Sequence, residues 1–219
     1  MSKGCLNVRI NPTRLCLGKG FSMKIIGLCG SSGSGKGYIS MLFNKYGVLS
    51  IDTDRVYRET TTKKGSECLL ELTKEFGNSI LTENGELYRP ALAEIVFSDR
   101  EKLNKLNEIT HKHIKKDTQA LLEMYEGEGA RAVIIDAPVL FESGFDKMCD
   151  FTVCVTSPVE RKIDRIMTRD QITREQAIAR LNSQKTDSEL IELATYQIDN
   201  SGKELTSQIT SILKAENII

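Results

Sequence analysis

The chain has no tryptophan, only two histidines and four prolines, and its aromatic residues make up 6% of 219 positions. What few aromatics there are do not alternate with basic residues, so the stacking platform of a single-strand nucleic-acid binder is not present. No apolar run is long enough to cross a bilayer as a helix. Net charge is also missing: 30 basic and 30 acidic residues give +0, so no overall field draws the protein to nucleic acid or to an anionic membrane. Neither is expected as a partner, and no obligate protein partner is evident. The six cysteines (Cys5, Cys16, Cys29, Cys68, Cys149, Cys154) form no C-x-x-C pair and have no histidine at zinc spacing. Cys29 and Cys154 lie in apolar strand candidates and read as small core residues. A reducing, cytoplasmic setting is expected.

What is present is an alternation. Apolar strand candidates at residues 24–29, Val48–Ile51, Ala132–Ala137, Phe151–Val155 and Tyr196–Ile198 are separated by helical patterns. That order predicts an α/β fold with a doubly wound parallel sheet of about five strands. Between Asp54 and Ala130 the period is helical, through Leu69, Leu70, Leu72, Leu92, Ile95, Val96, Leu103, Leu106, Ile109 and Ile114. This stretch is too long for a simple crossover and is expected to be a helical insertion. Pro158 is suited to opening a helix. Thr173 with Gln176, and Thr186 with Glu189, have the spacing of capping boxes. Asn200-Ser201-Gly202 marks a turn before a last helix. Residues 1–22 carry Lys3, Arg9, Arg14 and Lys19 with no acidic residue. They are expected to be a non-catalytic extension, or a start misassigned to Met1, since the globular pattern begins at Met23.

The first strand candidate runs into Gly30-Ser31-Ser32-Gly33-Ser34-Gly35-Lys36-Gly37. This is the pattern G-x-x-x-x-G-K-[ST] of a phosphate-binding loop, save that Gly37 replaces the terminal hydroxyl residue. The position between strand and helix is the one the motif requires. Its glycines let backbone N–H groups converge on an anion, the next helix adds its positive end, and Lys36 supplies a point charge for β- and γ-phosphates. The missing hydroxyl normally binds Mg²⁺. Because Mg²⁺ readily keeps water as ligand, weaker rather than abolished metal binding is expected.

Other candidates are less specific. Asp52 and Asp54, two apart after a strand, project from one face at the carboxyl end, where α/β sheets bind ligands. They suit a base for a hydroxyl and a water-mediated Mg²⁺ contact; equally, Asp52 suits a helix N-cap. Asp136 ends an apolar strand in the manner of a Mg²⁺-supporting acid, and Glu142 follows it. Arg161, Arg165 and Arg169 recur every four residues and share a helix face. They suit either a solvated face paired with Glu160 and Asp164, or a lid bringing guanidinium groups to phosphates. His111 and His113, two apart on a helix, cannot share a face, so no metal pair is expected there.

Taken in order, these segments resemble the dephospho-CoA kinase family from about Met23 to Ile212. The matching stretches are Ile26-Gly27-Leu28-Cys29-Gly30 into Gly33-Ser34-Gly35-Lys36, then Ile51-Asp52-Thr53-Asp54-Arg55-Val56-Tyr57-Arg58, and Ile109-Thr110-His111. They continue through Asp136-Ala137-Pro138-Val139-Leu140-Phe141-Glu142, Arg161 to Asp170, Arg180-Leu181-Asn182-Ser183-Gln184 and Ile198-Asp199-Asn200-Ser201-Gly202. The resemblance implies transfer of the ATP γ-phosphate to the ribose 3′-hydroxyl of dephospho-CoA, with ATP and Mg²⁺ required. It implies Asp54, Lys36 and Arg165 as catalytic residues. ATP falls to Gly33, Ser34, Gly35, Lys36, Gly37, Tyr38, Arg165 and Arg169; dephospho-CoA to Asp54, Arg58 and His111. Asp52 and Asp136 are implied for the metal, through water. The implied layout is a phosphate-loop kinase core (23–58, 130–157 and 186–219), a helical substrate domain (59–129) and a helical lid (158–185). The family's Ser-Thr after the lysine is Gly37-Tyr38 here, its proline after the helical histidine is Lys112, and its small residue and Asp before the last strand are Ala194-Thr195. Another small kinase of this loop class, acting on nucleosides or nucleotides, and a weakened nucleotide- or CoA-binding homologue are the alternatives.

Overall fold

The computed structural model describes residues 22–202 and 204–219. Five strands form one sheet: β1 (Lys24–Cys29), β2 (Leu49–Asp52), β3 (Ala132–Asp136), β4 (Phe151–Thr156) and β5 (Tyr196–Asp199), in the order β2-β3-β1-β4-β5. β1 pairs in parallel with both β3 and β4, and β4 with β5. β4 is buried along its whole length and β3 up to its last residue, which is why both read as unbroken apolar runs rather than alternations. The chain leaves central β1 toward β2 on one side, then returns to build β4 and β5 on the other. The carboxyl end of β1 is therefore the switch point at which such sheets place ligands.

Two compact units emerge. One comprises the described residues through Ser50 together with Glu126–Ile219; the other is Ile51–Tyr125. In the first, α1 (Lys36–Asn44) and α9 (Leu205–Ala215) cover the sheet. Ile39 and Phe43 of α1, Ile26 and Leu28 of β1, Ile198 of β5, and Ile209 and Leu213 of α9 form a single apolar cluster. Burying side chains of this size is worth about 1.5–3 kcal/mol each. The same unit carries α6 (Val159–Asp170), α7 (Arg174–Asn182) and α8 (Asp187–Leu193). Ile163, Ile166 and Ala177 make a small core of their own with Met167, Ile172 and Leu181. Both capping boxes form: Thr173 and Thr186 accept from the amides of Gln176 and Glu189, whose side chains reach back.

The second unit is helical. It contains α2 (Thr53–Val56), a π-helical turn (Tyr57–Thr61), α3 (Glu67–Phe76), α4 (Arg89–Phe97) and most of α5 (Arg100–Gly127). Its core is Cys68, Leu69, Leu72, Ile80, Leu92, Val96 and Ile109. Leu70, grouped with Leu69 and Leu72 by periodicity, is 64% exposed, because a helix turning 100° per residue puts it off the buried stripe.

Candidate active site

The turn from β1 into α1 is built by three glycines in left-handed or extended conformations closed to side chains: Gly30 (φ 148), Gly33 (φ 75) and Gly35 (φ 94). A Cβ on Gly33 would sit 2.5 Å from the Lys162 carbonyl oxygen, and one on Gly35 would collide with the Asn200 amide. Gly35 is the N-cap of α1 and provides no side-chain acceptor for the first amides of the helix. An uncapped helix start inside a glycine-turned loop is a receptor for an anion. The Lys36 Nζ donates to the Gly30 carbonyl at 2.8 Å, arched back over the loop.

Four side chains of the same unit reach the loop. Arg165 of α6 donates from one terminal nitrogen to the carbonyls of Gly33 (2.9 Å) and Ser34 (3.2 Å) and to Ser157 Oγ (3.3 Å). Asn200, after β5, donates from Nδ2 to the Ser34 carbonyl at 2.8 Å. Gln184, after α7, accepts from the Ser32 amide at 2.8 Å. Arg169, at the end of α6, reaches Ser32 Oγ at 3.2 Å while its Nε and NH2 grip Asp170 at 2.7 and 2.8 Å. Arg180 of α7 also pairs with Asp170, and hydrogen bonding from Arg169, with the charge of both arginines, holds the Asp170 carboxyl below its ordinary range.

Against the loop lies an ion pair between a buried lysine and a half-buried aspartate. Lys162, 4% exposed, donates to both carboxylate oxygens of Asp187 at 2.8 Å and to Ser31 Oγ at 3.1 Å; Ser31 Oγ in turn donates to Asp187 at 3.0 Å. Its three donors are thus matched, as burial of a charge requires. Neither Lys162 nor Asp187 stands out in the sequence; only their convergence on Ser31 does. Under β1 the Cys29 and Cys154 side chains meet across paired positions of β1 and β4. Their hydrogen bond, then burial, raises the Cys29 thiol above its ordinary range, so it stays an unreactive core group.

Asp136 closes β3 in register with Leu28, at the loop's end of the sheet, and Glu142 pairs with Lys185 at 3.5 Å. At Gly37 a Cβ would meet nothing within 4 Å. Tyr38 is 51% exposed. Of the three arginines on α6, Arg161 donates to the Ser201 carbonyl, and Glu160 pairs with Arg174 instead of with the arginine row.

The remaining predicted residues belong to the second unit. Asp52 is the N-cap of α2: its Oδ1 accepts from the amides of Asp54 (2.9 Å) and Arg55 (3.1 Å). Arg58 lies in the π-helical turn and donates from Nε to the Asp54 carbonyl at 3.1 Å. π-Helical turns concentrate at functional sites. His111 is half-buried on α5, and desolvation, then the Lys115 charge, lowers its pKa, favouring the neutral ring. His113 takes a separate structural role, its Nε2 2.7 Å from Glu71 of α3. No cluster of three or more metal-ligating side chains occurs among the described residues.

The family model for dephospho-CoA kinase matches residues 24–205. A dephospho-CoA kinase of Listeria innocua is 39% identical over 178 residues, 81% of this chain and 88% of that one. A Bacillus cereus dephospho-CoA kinase is 36% identical over 197 residues, 89% of this chain and 98% of that one. Among solved structures, a Thermus thermophilus protein superposes with a TM-score of 0.76 at 30% identity, covering 89% of this chain and 98% of that chain. The dephospho-CoA kinase of Campylobacter jejuni gives 0.64 at 25% identity, covering 88% of this chain and 96% of that chain.

Proposed function

This chain belongs to the dephospho-CoA kinase family, and on that footing we propose how its residues divide the work of an ATP-dependent kinase acting on dephospho-CoA. The amides of residues 33–38 and the Lys36 ammonium receive the triphosphate, Lys36 leaving the Gly30 carbonyl for phosphate oxygens. Arg165 and Arg169 bring fixed positive charge to the phosphates being separated. Asp54 accepts the proton of the ribose 3′-hydroxyl as its oxygen attacks the γ-phosphorus. The bond from that phosphorus to the bridging oxygen breaks, and ADP leaves with the bond's electron pair. Arg58 and neutral His111 hold the acceptor, His111 as hydrogen-bond partner without charge. Residues 59–129 serve as the substrate domain and 158–185 as the lid.

The residues at the loop's end of the sheet suit a hydrated Mg²⁺: Asp136 closes β3 there, and the open space beside Gly37 suits water in place of the usual hydroxyl. Asp136 and Asp52 would hold the ion through water, and the bound ion would neutralise charge on the β- and γ-phosphates. A reducing cytoplasm fits the free thiols of Cys29, Cys68 and Cys154; among the described residues no helix is long and apolar enough to cross a membrane.

The observation that carries the residue assignment is the uncapped, glycine-turned start of α1, with Lys36 arched over it, in a chain of this family. An ADP-release assay with dephospho-CoA and with nucleosides as acceptors tests the reading. Turnover is expected with dephospho-CoA, giving the 3′-phosphorylated product, and Lys36→Met is expected to lose it. Acceleration by a nucleoside alone would overturn the acceptor assignment.

A further inference from the structure

A loop that turns its amides toward an anion must turn carbonyls the other way, and each of those needs a donor. Around this loop the donors are identifiable. Ser31 O is met by the Ser34 amide and Gly33 O by Arg165. At Ser34 O two donors converge, Asn200 Nδ2 at 2.8 Å and Arg165 at 3.2 Å. The trans peptide plane makes this convergence consequential: the Ser34 carbonyl and the Gly35 N–H lie in one rigid plane and point in opposite directions. Fixing the carbonyl on one side aims the N–H to the other.

Asn200 is well placed to do this because it is itself fixed. It is 4% exposed. Its amide donates to the Thr156 carbonyl at 2.8 Å, and its carbonyl accepts from Ser157 Oγ at 3.2 Å. Ser157 Oγ also accepts from Arg165 at 3.3 Å. Asn200, Ser34, Arg165 and Ser157 thus close a ring joining the turn after β5, the loop, α6 and the end of β4. The fit is tight enough that position 35 has no space for a Cβ beside the Asn200 amide.

We propose that Asn200 is a positioning residue for phosphoryl transfer, which holds the Ser34–Gly35 peptide so that the Gly35 N–H faces the ATP phosphates. It acts through the backbone of the loop, so its removal weakens recognition of phosphates and spares recognition of the nucleoside. The inference rests on residues 33–38 receiving the triphosphate.

Isothermal titration of ATP and of adenosine into the full chain, into Asn200→Ala, into the isosteric Asn200→Asp and into Lys36→Met tests it. Loss of one buried hydrogen bond predicts ATP affinity about tenfold lower in Asn200→Ala, with adenosine affinity within about twofold of wild type. In steady state the KM for ATP rises while that for dephospho-CoA stays put. A general folding defect would lower the binding-competent fraction and weaken both ligands by one factor. Equal weakening of ATP and adenosine, or no weakening of ATP, would overturn the proposal. Asn200→Asp keeps the size and loses the donor, and the same selective loss of ATP is expected there should the alanine variant not fold. If Lys36→Met loses ATP affinity and Asn200→Ala does not, the role of Asn200 alone is wrong. If Lys36→Met binds ATP like wild type, the loop assignment fails and this inference with it.

Discussion

Gly37 has room for a side chain, with nothing within 4 Å of where its Cβ would stand. Gly37→Ser is therefore expected to fold without repacking and to lower the Mg²⁺ concentration needed for half-maximal 3′-phosphorylation; superimposable Mg²⁺ titrations of the two proteins would show that water already replaces the hydroxyl. Asp54→Asn keeps the size of the side chain and removes the carboxylate proposed as the base. A fall in kcat of about 10²–10⁴, with the KM for ATP little changed, is expected from loss of general-base catalysis. Single-turnover phosphorylation measures it, and an unchanged rate would assign proton removal to another group. At this scale the sequence was informative where chemistry is local. Gly33, Gly35 and Lys36 are legible from spacing alone because neighbours in the chain build the turn. Asn200 and Lys162 are not, because their partners, Ser34, Ser31 and Asp187, are brought to them only by the closing of the sheet.

Among the elements, strand positions are legible in the sequence to within about a residue at either end, most plainly for β3 and β4, where burial on both faces writes a continuous apolar signal. β2 starts at Leu49 and not at Val48, and runs on to Asp52, which both ends the strand and caps α2. The helix starts marked by Thr173 and Thr186 were legible because a capping box is a four-residue pattern. Thr186→Ala is expected to cost about 0.5–2 kcal/mol, read from denaturant midpoints. The π-helical turn at Tyr57–Thr61 left no mark in the periodicity, for it differs from an α-helix by one residue. α3 and α5 are joined at Glu71, where hydrogen bonds from Lys112 and His113 push the carboxyl down to about 2 from its ordinary 4.5. Folding favours the ionised form, so this contribution is complete above pH 4.5 and disappears as pH falls through about 2. Glu71→Gln should flatten the stability profile within that window. Circular dichroism during acid titration would detect it, and parallel profiles would refute it.

Across the molecule, the triphosphate site proposed at the loop would couple folding to ligand binding. A ligand held only by the folded state stabilises it by about 2.7 kcal/mol at 100 times its Kd. ATP should therefore raise the unfolding midpoint of wild type and leave that of Lys36→Met nearly unmoved, as differential scanning calorimetry would show. Phe43→Ala, in the cluster formed by α1, β1, β5 and α9, is expected to lose about 3–5 kcal/mol, a change that thermal melting would register without altering the acceptor preference.

The Lys162–Asp187 pair also has a bearing on length. Lys162 stands near the start of α6 and Asp187 opens α8, so the pair ties the two roots of segment 163–186 together over Ser31. A segment closed at its base is thermodynamically a loop, and doubling a flexible loop costs only about 0.6 kcal/mol. Residues added at the exposed turn after α6, near Gln171, should therefore cost little stability, provided the clasp and the Arg165 contacts are kept. The clasp thus leaves the turn between α6 and α7 open to changes of length that do not reach the sheet.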